Sequence, residues 1–100
     1  MLQGHPELKT PGVDFAGGSL GQGVCFANGI ALAGKLDNKK YKVYVLIGDG
    51  EAQEGSVWEA AMAAAHHKLD NLVVILDKNL VQETGKTKDV MNIDPSPDKW

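Results

Sequence analysis

An aspartate and an asparagine thirty positions apart are the side chains in this sequence that best suit metal chemistry. Asp49 lies in a Gly-Asp-Gly sequence at positions 48–50, and Asn79 follows shortly after an apolar run. Their oxygens are hard ligands that suit Mg²⁺ or Ca²⁺, whereas zinc would favour His or Cys. Because two protein ligands leave the coordination shell incomplete, phosphate oxygens and water would have to fill it. The pair therefore predicts a site for a metal-bridged diphosphate.

The glycines beside Asp49 and the helix predicted after them fit the same ligand. Gly48 and Gly50 let the backbone approach a ligand closely, and a helix beginning near Ser56 would direct its N-terminal amides toward it. Taken alone, a Gly-Asp-Gly sequence can equally be a tight turn whose aspartate caps a helix. The pattern of elements between Asp49 and Asn79 favours the binding site over that alternative.

A strand, a helix and a second strand are predicted to bring these two polar residues together. The apolar, β-branched runs 43–47 and 72–76 are typical of strands that are buried on both faces. Between them, Ser56 and Glu59 fit a capping box that opens a helix extending to about Lys68. Such a βαβ unit has parallel strands, whose carboxyl ends share one ligand-binding edge. The predicted apolar stripe of its helix is Trp58, Met62, Ala65 and Leu69.

A further helix, Leu20–Leu36, is predicted ahead of this unit. Its apolar residues recur every three or four positions and an adjacent face is also apolar, so we expect the helix to be buried on most sides. No charged residue occurs within 16–34, but six glycines and several polar side chains there disfavour a membrane span. Residues 1–18 and 84–100 are predicted to be loop, the second with one short helical turn. The predicted fold is therefore α/β, with a parallel sheet and at least one βαβ unit preceded by a buried helix.

The length and composition exclude several classes of protein. One hundred residues allow one domain or part of one, and two strands bury too little surface for an independently stable sheet. The net charge of −3 comes without a basic cluster, which argues against binding nucleic acid or an anionic membrane through charge. A single cysteine, Cys25, and a first segment without the pattern of a secretory signal predict a cytoplasmic protein.

Three other motifs are less informative. The glycines at 17–23 do not fit the dinucleotide-binding fingerprint, and Leu80 stands where a Walker loop ending at 85–87 requires glycine. The adjacent histidines at 66–67 would point about 100° apart on a helix and could not bind one metal together. His5 lies in a loop bounded by glycine and proline, which makes it a candidate for contact with a ligand.

Five short sequences in the chain resemble transketolase. They are Gly-His-Pro-Glu at 4–7, Pro-Gly-Val-Asp at 11–14, Gly-Ser-Leu-Gly-Gln-Gly at 18–23, Gly-Asp-Gly at 48–50 with Asn79, and Glu-Gly-Ser-Val-Trp-Glu-Ala at 54–60. Gly-Asp-Gly followed by Asn79 is similar to the motif of enzymes that use thiamine diphosphate, and the other four sequences narrow the resemblance to transketolase. The stretch 82–91 is most similar to the N-terminal subunit of split bacterial and archaeal forms.

The resemblance implies how the diphosphate end of the cofactor would be held. Asp49 and Asn79 would bind Mg²⁺, with Ca²⁺ as an alternative, through their side chains, and Val81 through its backbone carbonyl. The Gly50 amide would bind the diphosphate. Leu80 departs from the family, in which Gly or Lys is frequent at this position. The departure affects how the backbone directs the Val81 carbonyl toward the metal.

The resemblance also implies roles at the other end of the cofactor. Gly18 and Leu20 would offer backbone groups to the aminopyrimidine, and His5 would face the donor sugar. Glu54 matches a buried glutamate that links paired active sites across a dimer interface in the family. Gly17 is a small departure, because Thr is common there.

By the same resemblance, the chain is part of an enzyme that moves a two-carbon ketol unit between sugar phosphates. All 100 residues would belong to a single thiamine diphosphate-binding domain. A pyrimidine domain, whose glutamate activates the cofactor, is absent from the sequence, as is an upstream histidine that contacts the diphosphate. The chain is therefore expected to be inactive without a pyrimidine-domain partner, and to act in a homodimer or heterotetramer.

Two alternatives stay open from the sequence. Another thiamine diphosphate enzyme, such as a xylulose phosphate synthase or a 2-oxo acid dehydrogenase, would share Gly-Asp-Gly and Asn79. A non-catalytic α/β assembly module would instead explain the uncharged segment 16–34, which needs a partner surface.

Overall fold

Two parallel strands and two helices form the frame of the structure, a computed structural model that describes residues 4–100. In chain order the elements are α1 (Gln22–Leu36), β1 (Val43–Gly48), α2 (Gly55–His66), β2 (Leu72–Asp77), β3 (Val81–Gln82), β4 (Gly85–Lys86) and α3 (Thr87–Val90). Short 3₁₀ turns cover Glu51–Gln53 and Pro97–Lys99. This order confirms the predicted α/β class and the helix ahead of a βαβ unit.

The parallel pairing of β1 and β2 is confirmed. Val43 lies beside Leu72 at the start of the register, and Gly48 lies beside Asp77 at its end. The Asp49 amide then donates a hydrogen bond to the Asp77 carbonyl, at an N–O distance of 3.2 Å. The pairing therefore continues to the residue on which the predicted site depends.

The hydrophobic core lies on one face of this sheet, beneath α1 and α2. Alternate strand residues point toward it, because successive side chains of a strand lie on opposite faces. Its buried members are Val24, Ile47, Ala52, Val57, Ala60 and Ile93, with Val45, Val74 and Leu76 packed against them. One packed face is enough to fix the register, because a slip by one residue would expose these side chains.

The expectation that both strands are buried on both faces is wrong for the described residues. Leu46 lies beside Ile75 in the register, and these side chains are 68% and 47% exposed. The expected burial of α1 on most sides is wrong in the same way, because Phe26 and Ile30 are exposed. The apolar runs correctly indicate strands and a helix, but residues 4–100 supply a covering layer for only one side of each.

The start of α2 also differs from the prediction. Glu54 is its N-terminal flanking residue, and no side chain caps the helix. The Ser56 hydroxyl does not form the capping box but donates to the carbonyl of Gly21, 3.2 Å away. A tertiary contact thus replaces the local one. The predicted stripe is also shifted, since the buried residues of α2 are Val57 and Ala60 whereas Met62 is exposed.

The segments outside this frame largely follow the loop prediction. Residues 4–20 contain no helix or strand, and residues 1–3 of the predicted loop lie outside the described part. The C-terminal segment contains two short helical turns, Thr87–Val90 and Pro97–Lys99, where one was expected, and its strand β4 forms a small antiparallel hairpin with β3 in which Val81 pairs with Lys86. No helix within residues 4–100 combines the length and apolar character needed to cross a membrane.

Candidate functional site

The carboxylate of Asp49 is the centre of the predicted site. Its side chain comes directly after β1 and is only 1% exposed. The Gly50 amide donates to Oδ1 at 3.0 Å, and the Leu80 amide and Thr87 hydroxyl both donate to Oδ2 at 2.9 Å. Three neutral donors, two of them from distant parts of the chain, therefore hold this acid in one orientation.

The charge of Asp49 has no cationic partner within the described residues. The two ion pairs found there join Lys35 to Asp70 and Lys78 to Asp94. Buried charges in proteins are generally paired or coordinated to a metal. A carboxylate offers about four lone-pair positions, so three hydrogen bonds leave one position on Oδ1. The donor set therefore fits a hard cation such as Mg²⁺.

The loop that carries Asn79 lies beside Asp49, as the shared sheet edge predicted. Asn79 is exposed, and its Oδ1 accepts a hydrogen bond from the Val81 amide at 3.0 Å. Leu80, which lies between Asn79 and Val81, has φ of 67° and donates its amide to Asp49. A non-glycine residue rarely adopts this left-handed conformation, so the loop is held by its hydrogen bonds rather than by local preference.

Thr87 is a site residue that the sequence did not reveal. Its amide donates to the Leu80 carbonyl at 3.1 Å, while its hydroxyl reaches Asp49. The hairpin of β3 and β4 turns the chain back to make these contacts. Residues 85–87 resemble the end of an incomplete Walker motif and belong to the family-like stretch 82–91, but no local pattern there indicates a contact that spans 38 positions.

The turn after Asp49 is packed tightly against the hairpin. A Cβ added at Gly50 would lie 2.8 Å from the Cβ of Gln82. Gln53 reinforces this contact by donating through Nε2 to the side-chain oxygen of Gln82 at 2.6 Å and to the Met91 carbonyl at 2.8 Å. Glycine is needed at position 50 because the hairpin occupies the space of a side chain.

The glycine-rich segment 17–23 is docked onto the same turn. Glu51, a second residue that the sequence did not reveal, accepts from the Gly21 amide through Oε1 at 2.9 Å and from the Gly48 amide through Oε2 at 3.3 Å. Gly21 has φ of 82°, and a Cβ there would clash with Ser56 Oγ. The two glycine-rich segments are thus joined by one carboxylate.

The remaining predicted residues lie at the surface of the chain. Gly18 and Leu20 belong to the docked segment and are exposed. His5 is exposed in the N-terminal loop, and Glu54 is exposed at the start of α2. The burial that the resemblance implies for Glu54 is therefore not supplied by residues 4–100.

Other groups of chemical interest do not compete with this site. Residues 4–100 contain no cluster of three or more His, Cys, Asp or Glu side chains arranged to hold a metal. An open groove of about 400 Å³ lies beside α2 and β2, with Trp100 at one wall. Its lining is mainly alanine and aliphatic side chains and does not include Asp49 or Asn79, so it is suited to packing rather than chemistry.

Comparison with known proteins identifies the family to which this site belongs. The sequence model described as "Transketolase, thiamine diphosphate binding domain" matches residues 1–98. This chain belongs to the transketolase family. The resemblance drawn from the sequence motifs is confirmed, and residues 1–98 match the thiamine diphosphate-binding domain of that family.

Individual relatives show how much of a complete protein the chain represents. It is 48% identical to one of the subunits of an apulose-4-phosphate transketolase from Phocaeicola vulgatus, over 100% of this chain and 36% of that protein. It is 44% identical to "6-deoxy-6-sulfo-D-fructose transketolase subunit SqwG" from a Clostridium species, over 100% of this chain and 37% of that protein. The chain therefore spans about a third of the length of these relatives.

A solved structure supports the fold. The chain resembles transketolase from Campylobacter jejuni with a TM-score of 0.80 and 42% identity, over 91% of this chain and 16% of that one. This likeness confirms that the parallel strands and their helices are a partial transketolase fold.

Proposed function

We propose that this chain supplies the metal- and diphosphate-binding part of a transketolase that transfers a two-carbon ketol unit between sugar phosphates. The observation that carries the proposal is the Asp49 carboxylate, which is buried with no cationic side chain paired to it among residues 4–100 and lies beside the Asn79 loop at the carboxyl edge of the sheet. A metal-bridged diphosphate at this edge would neutralise the buried charge.

The residues around Asp49 would divide the binding task. Asp49 and Asn79 would bind Mg²⁺ through their side chains and Val81 through its carbonyl, with Ca²⁺ as the alternative ion. The Gly50 amide would bind the diphosphate. Because that amide now donates to Asp49 Oδ1, a diphosphate oxygen would have to replace or share this acceptor.

The docked glycine-rich segment would serve the other end of the cofactor. Gly18 and Leu20 would present backbone groups to the aminopyrimidine, and Glu51 supports this by fixing the segment to the Gly48 turn. His5 would face the donor sugar. When bound, thiamine diphosphate supplies the reactive thiazolium carbon, and the protein contributes binding and orientation.

A second polypeptide or domain would complete the active site. The relatives from Phocaeicola vulgatus and Actinobacillus succinogenes are each named as one subunit of a transketolase, which supports a split enzyme. The partner would carry the pyrimidine domain and would bury Glu54 at the interface. The complete enzyme would be a homodimer or heterotetramer. We expect the enzyme to be cytoplasmic and the chain to be inactive without its partner.

Calorimetry of the complete protein with its partner tests the metal assignment. Titrating Mg²⁺ at saturating thiamine diphosphate should give a dissociation constant that rises by more than about 100-fold in Asp49→Ala, because loss of a ligand exceeds the roughly 10–100-fold cost of losing a supporting contact. Asp37→Ala, an exposed acid after α1, is the matched control and should bind as wild type. Unaltered binding in Asp49→Ala would show that the metal assignment is wrong.

Substrate assays separate the alternatives that the sequence left open. Turnover of pentose phosphates without turnover of pyruvate favours transketolase, whereas pyruvate turnover favours a 2-oxo acid dehydrogenase, and condensation of pyruvate with an aldose phosphate favours a xylulose phosphate synthase. The exposed apolar side chains of the strands favour an assembly surface that would exist alongside the catalytic role. A purely structural module would bind neither Mg²⁺ nor thiamine diphosphate.

A further inference from the structure

The hydroxyl of Thr87 is buried against the side of the Asp49 carboxylate that the Leu80 amide also contacts. Thr87 is 4% exposed and Asp49 is 1% exposed, so bulk water does not compete for this contact. Both donors lie 2.9 Å from Oδ2. Since a carboxylate oxygen has about two lone pairs, Oδ2 is fully used by neutral donors.

Oδ1 has a different environment. Within residues 4–100 its one donor is the neighbouring Gly50 amide at 3.0 Å, so one of its lone pairs is available. The two oxygens of the same carboxylate are therefore not equivalent. A cation that approaches Asp49 meets an available lone pair only on Oδ1.

We propose that Thr87 is a positioning residue that makes Asp49 bind its cation through Oδ1 alone. This inference rests on the proposed function, in which Asp49 is a metal ligand. Mg²⁺ requires near-octahedral geometry and binds one oxygen of a carboxylate, whereas Ca²⁺ accepts both oxygens at longer distances. By occupying Oδ2, the Thr87 hydroxyl favours Mg²⁺ over Ca²⁺.

The backbone around Thr87 holds the hydroxyl in place. The Thr87 amide donates to the Leu80 carbonyl at 3.1 Å, and the Thr87 carbonyl accepts from the Met91 amide at 2.9 Å. Because Leu80 also donates to Asp49, the residues Asp49, Leu80 and Thr87 form a closed ring of hydrogen bonds. The ring ties the Asp49 carboxylate to the loop that carries Asn79.

The test compares Thr87→Val, Thr87→Ala and Thr87→Ser in the complete protein with its partner. Mg²⁺ and Ca²⁺ are each titrated by calorimetry at saturating thiamine diphosphate. Thr87→Val and Thr87→Ala should weaken Mg²⁺ binding by roughly 10–100-fold, as the loss of contacts to a ligating carboxylate generally does. They should weaken Ca²⁺ binding less, because the freed Oδ2 can join its coordination. Thr87→Ser keeps the hydroxyl and should retain both affinities.

The ratio of the two affinities distinguishes positioning from general support of the fold. Wild-type affinities in Thr87→Ala, or an equal loss for both metals, would overturn the inference. Thermal unfolding without metal identifies a variant that does not fold. If Thr87→Val does not fold, the affinities of Thr87→Ala decide the test, because alanine adds no atoms at the hydroxyl position. If Asp49→Ala binds Mg²⁺ as wild type, the proposed function fails; if only the Thr87 variants do, this inference alone fails.

Discussion

The carboxylate of Asp49 is buried among neutral donors, whereas that of Asp70 is exposed and paired with the ammonium of Lys35 at 2.8 Å. Asp94 resembles Asp70, because it is exposed and paired with Lys78. A lysine neutralises a carboxylate and competes with any metal for it. Neutral donors fix a carboxylate but leave its charge uncompensated. The comparison explains why we propose Asp49, and neither of the two surface ion-paired aspartates, as the cation ligand.

The first test of this comparison is a substitution that disturbs the packing around Asp49. Gly50→Ala would place a Cβ 2.8 Å from that of Gln82 and push the hairpin away from Asp49. We expect a loss of about 1–3 kcal/mol in the free energy of unfolding, as for other overpacked sites, together with weaker Mg²⁺ binding. Denaturant unfolding measures the first effect and calorimetry the second.

Gly29→Ala is the matched control for that substitution. Gly29 lies within α1 and has open space around it, so alanine there should stabilise the helix by about 0.5–1 kcal/mol. Equal unfolding midpoints for the two variants would contradict the tight packing described at the Asp49 turn.

Glu51 extends the comparison to an acid held by two amides. Glu51→Gln keeps one acceptor oxygen but turns an NH₂ group toward the second amide, so either Gly21 or Gly48 loses its bond. Losing a hydrogen bond to a charged group costs about 1.5–3 kcal/mol, and the lower end applies because Glu51 is half-buried. Thermal unfolding and hydrogen exchange at the Gly21 amide measure the change.

Glu59→Gln, an exposed acid on α2, is the control for Glu51→Gln. It should leave both the unfolding temperature and the exchange rate at Gly21 unchanged. If the two variants behave alike, Glu51 does not join the glycine-rich segments.

The smallest effect is expected at Asp70. The hydrogen bond and charge of Lys35 hold the pKa of Asp70 below its usual 3.8. A lowered pKa in the folded state means that the pair contributes stability above about pH 3.8 and loses it as the pH falls through the lowered value. Asp70→Asn should therefore unfold slightly more easily than wild type at pH 7, and the difference should shrink in acid and in high salt. A difference that grew on acidification would contradict this reasoning, and Mg²⁺ affinity should not change.

Sequence reasoning succeeded where a general rule connects distant positions. Asp49 and the Asn79 loop could be placed together because parallel strands share a carboxyl edge, and both strands were evident from their apolar runs. The motifs that resemble transketolase predicted thiamine diphosphate as the cofactor. The roles of all the predicted site residues stay predictions, including the metal and diphosphate contacts of Asp49 and Gly50 and the roles of Asn79, Val81, Gly18, Leu20, His5 and Glu54.

The failures share a physical cause, which is competition between local and tertiary contacts. Ser56 has the sequence of a helix cap, in which its hydroxyl oxygen would accept from a helix amide, but the hydroxyl instead donates to the Gly21 carbonyl. No sequence pattern marks Thr87 or Glu51 as a site residue. Their hydrogen-bond partners are distant in sequence and come close only because the hairpin and the glycine-rich segment fold against the turn after Asp49. The alanine-rich α2 has apolar residues on several faces, so its periodicity could not identify the side that Val57 and Ala60 bury.

The β3–β4 hairpin has a kinetic consequence. Asp49 follows β1, but its two distant donors lie 31 and 38 positions later, so the carboxylate is enclosed only after the hairpin has closed over it. Short hairpins generally open more readily than a packed core. Each opening would break the contacts of Asp49 with Leu80 and Thr87 and return its carboxylate to water. Hydrogen exchange of the Leu80 amide, which is released in the same opening, would time it.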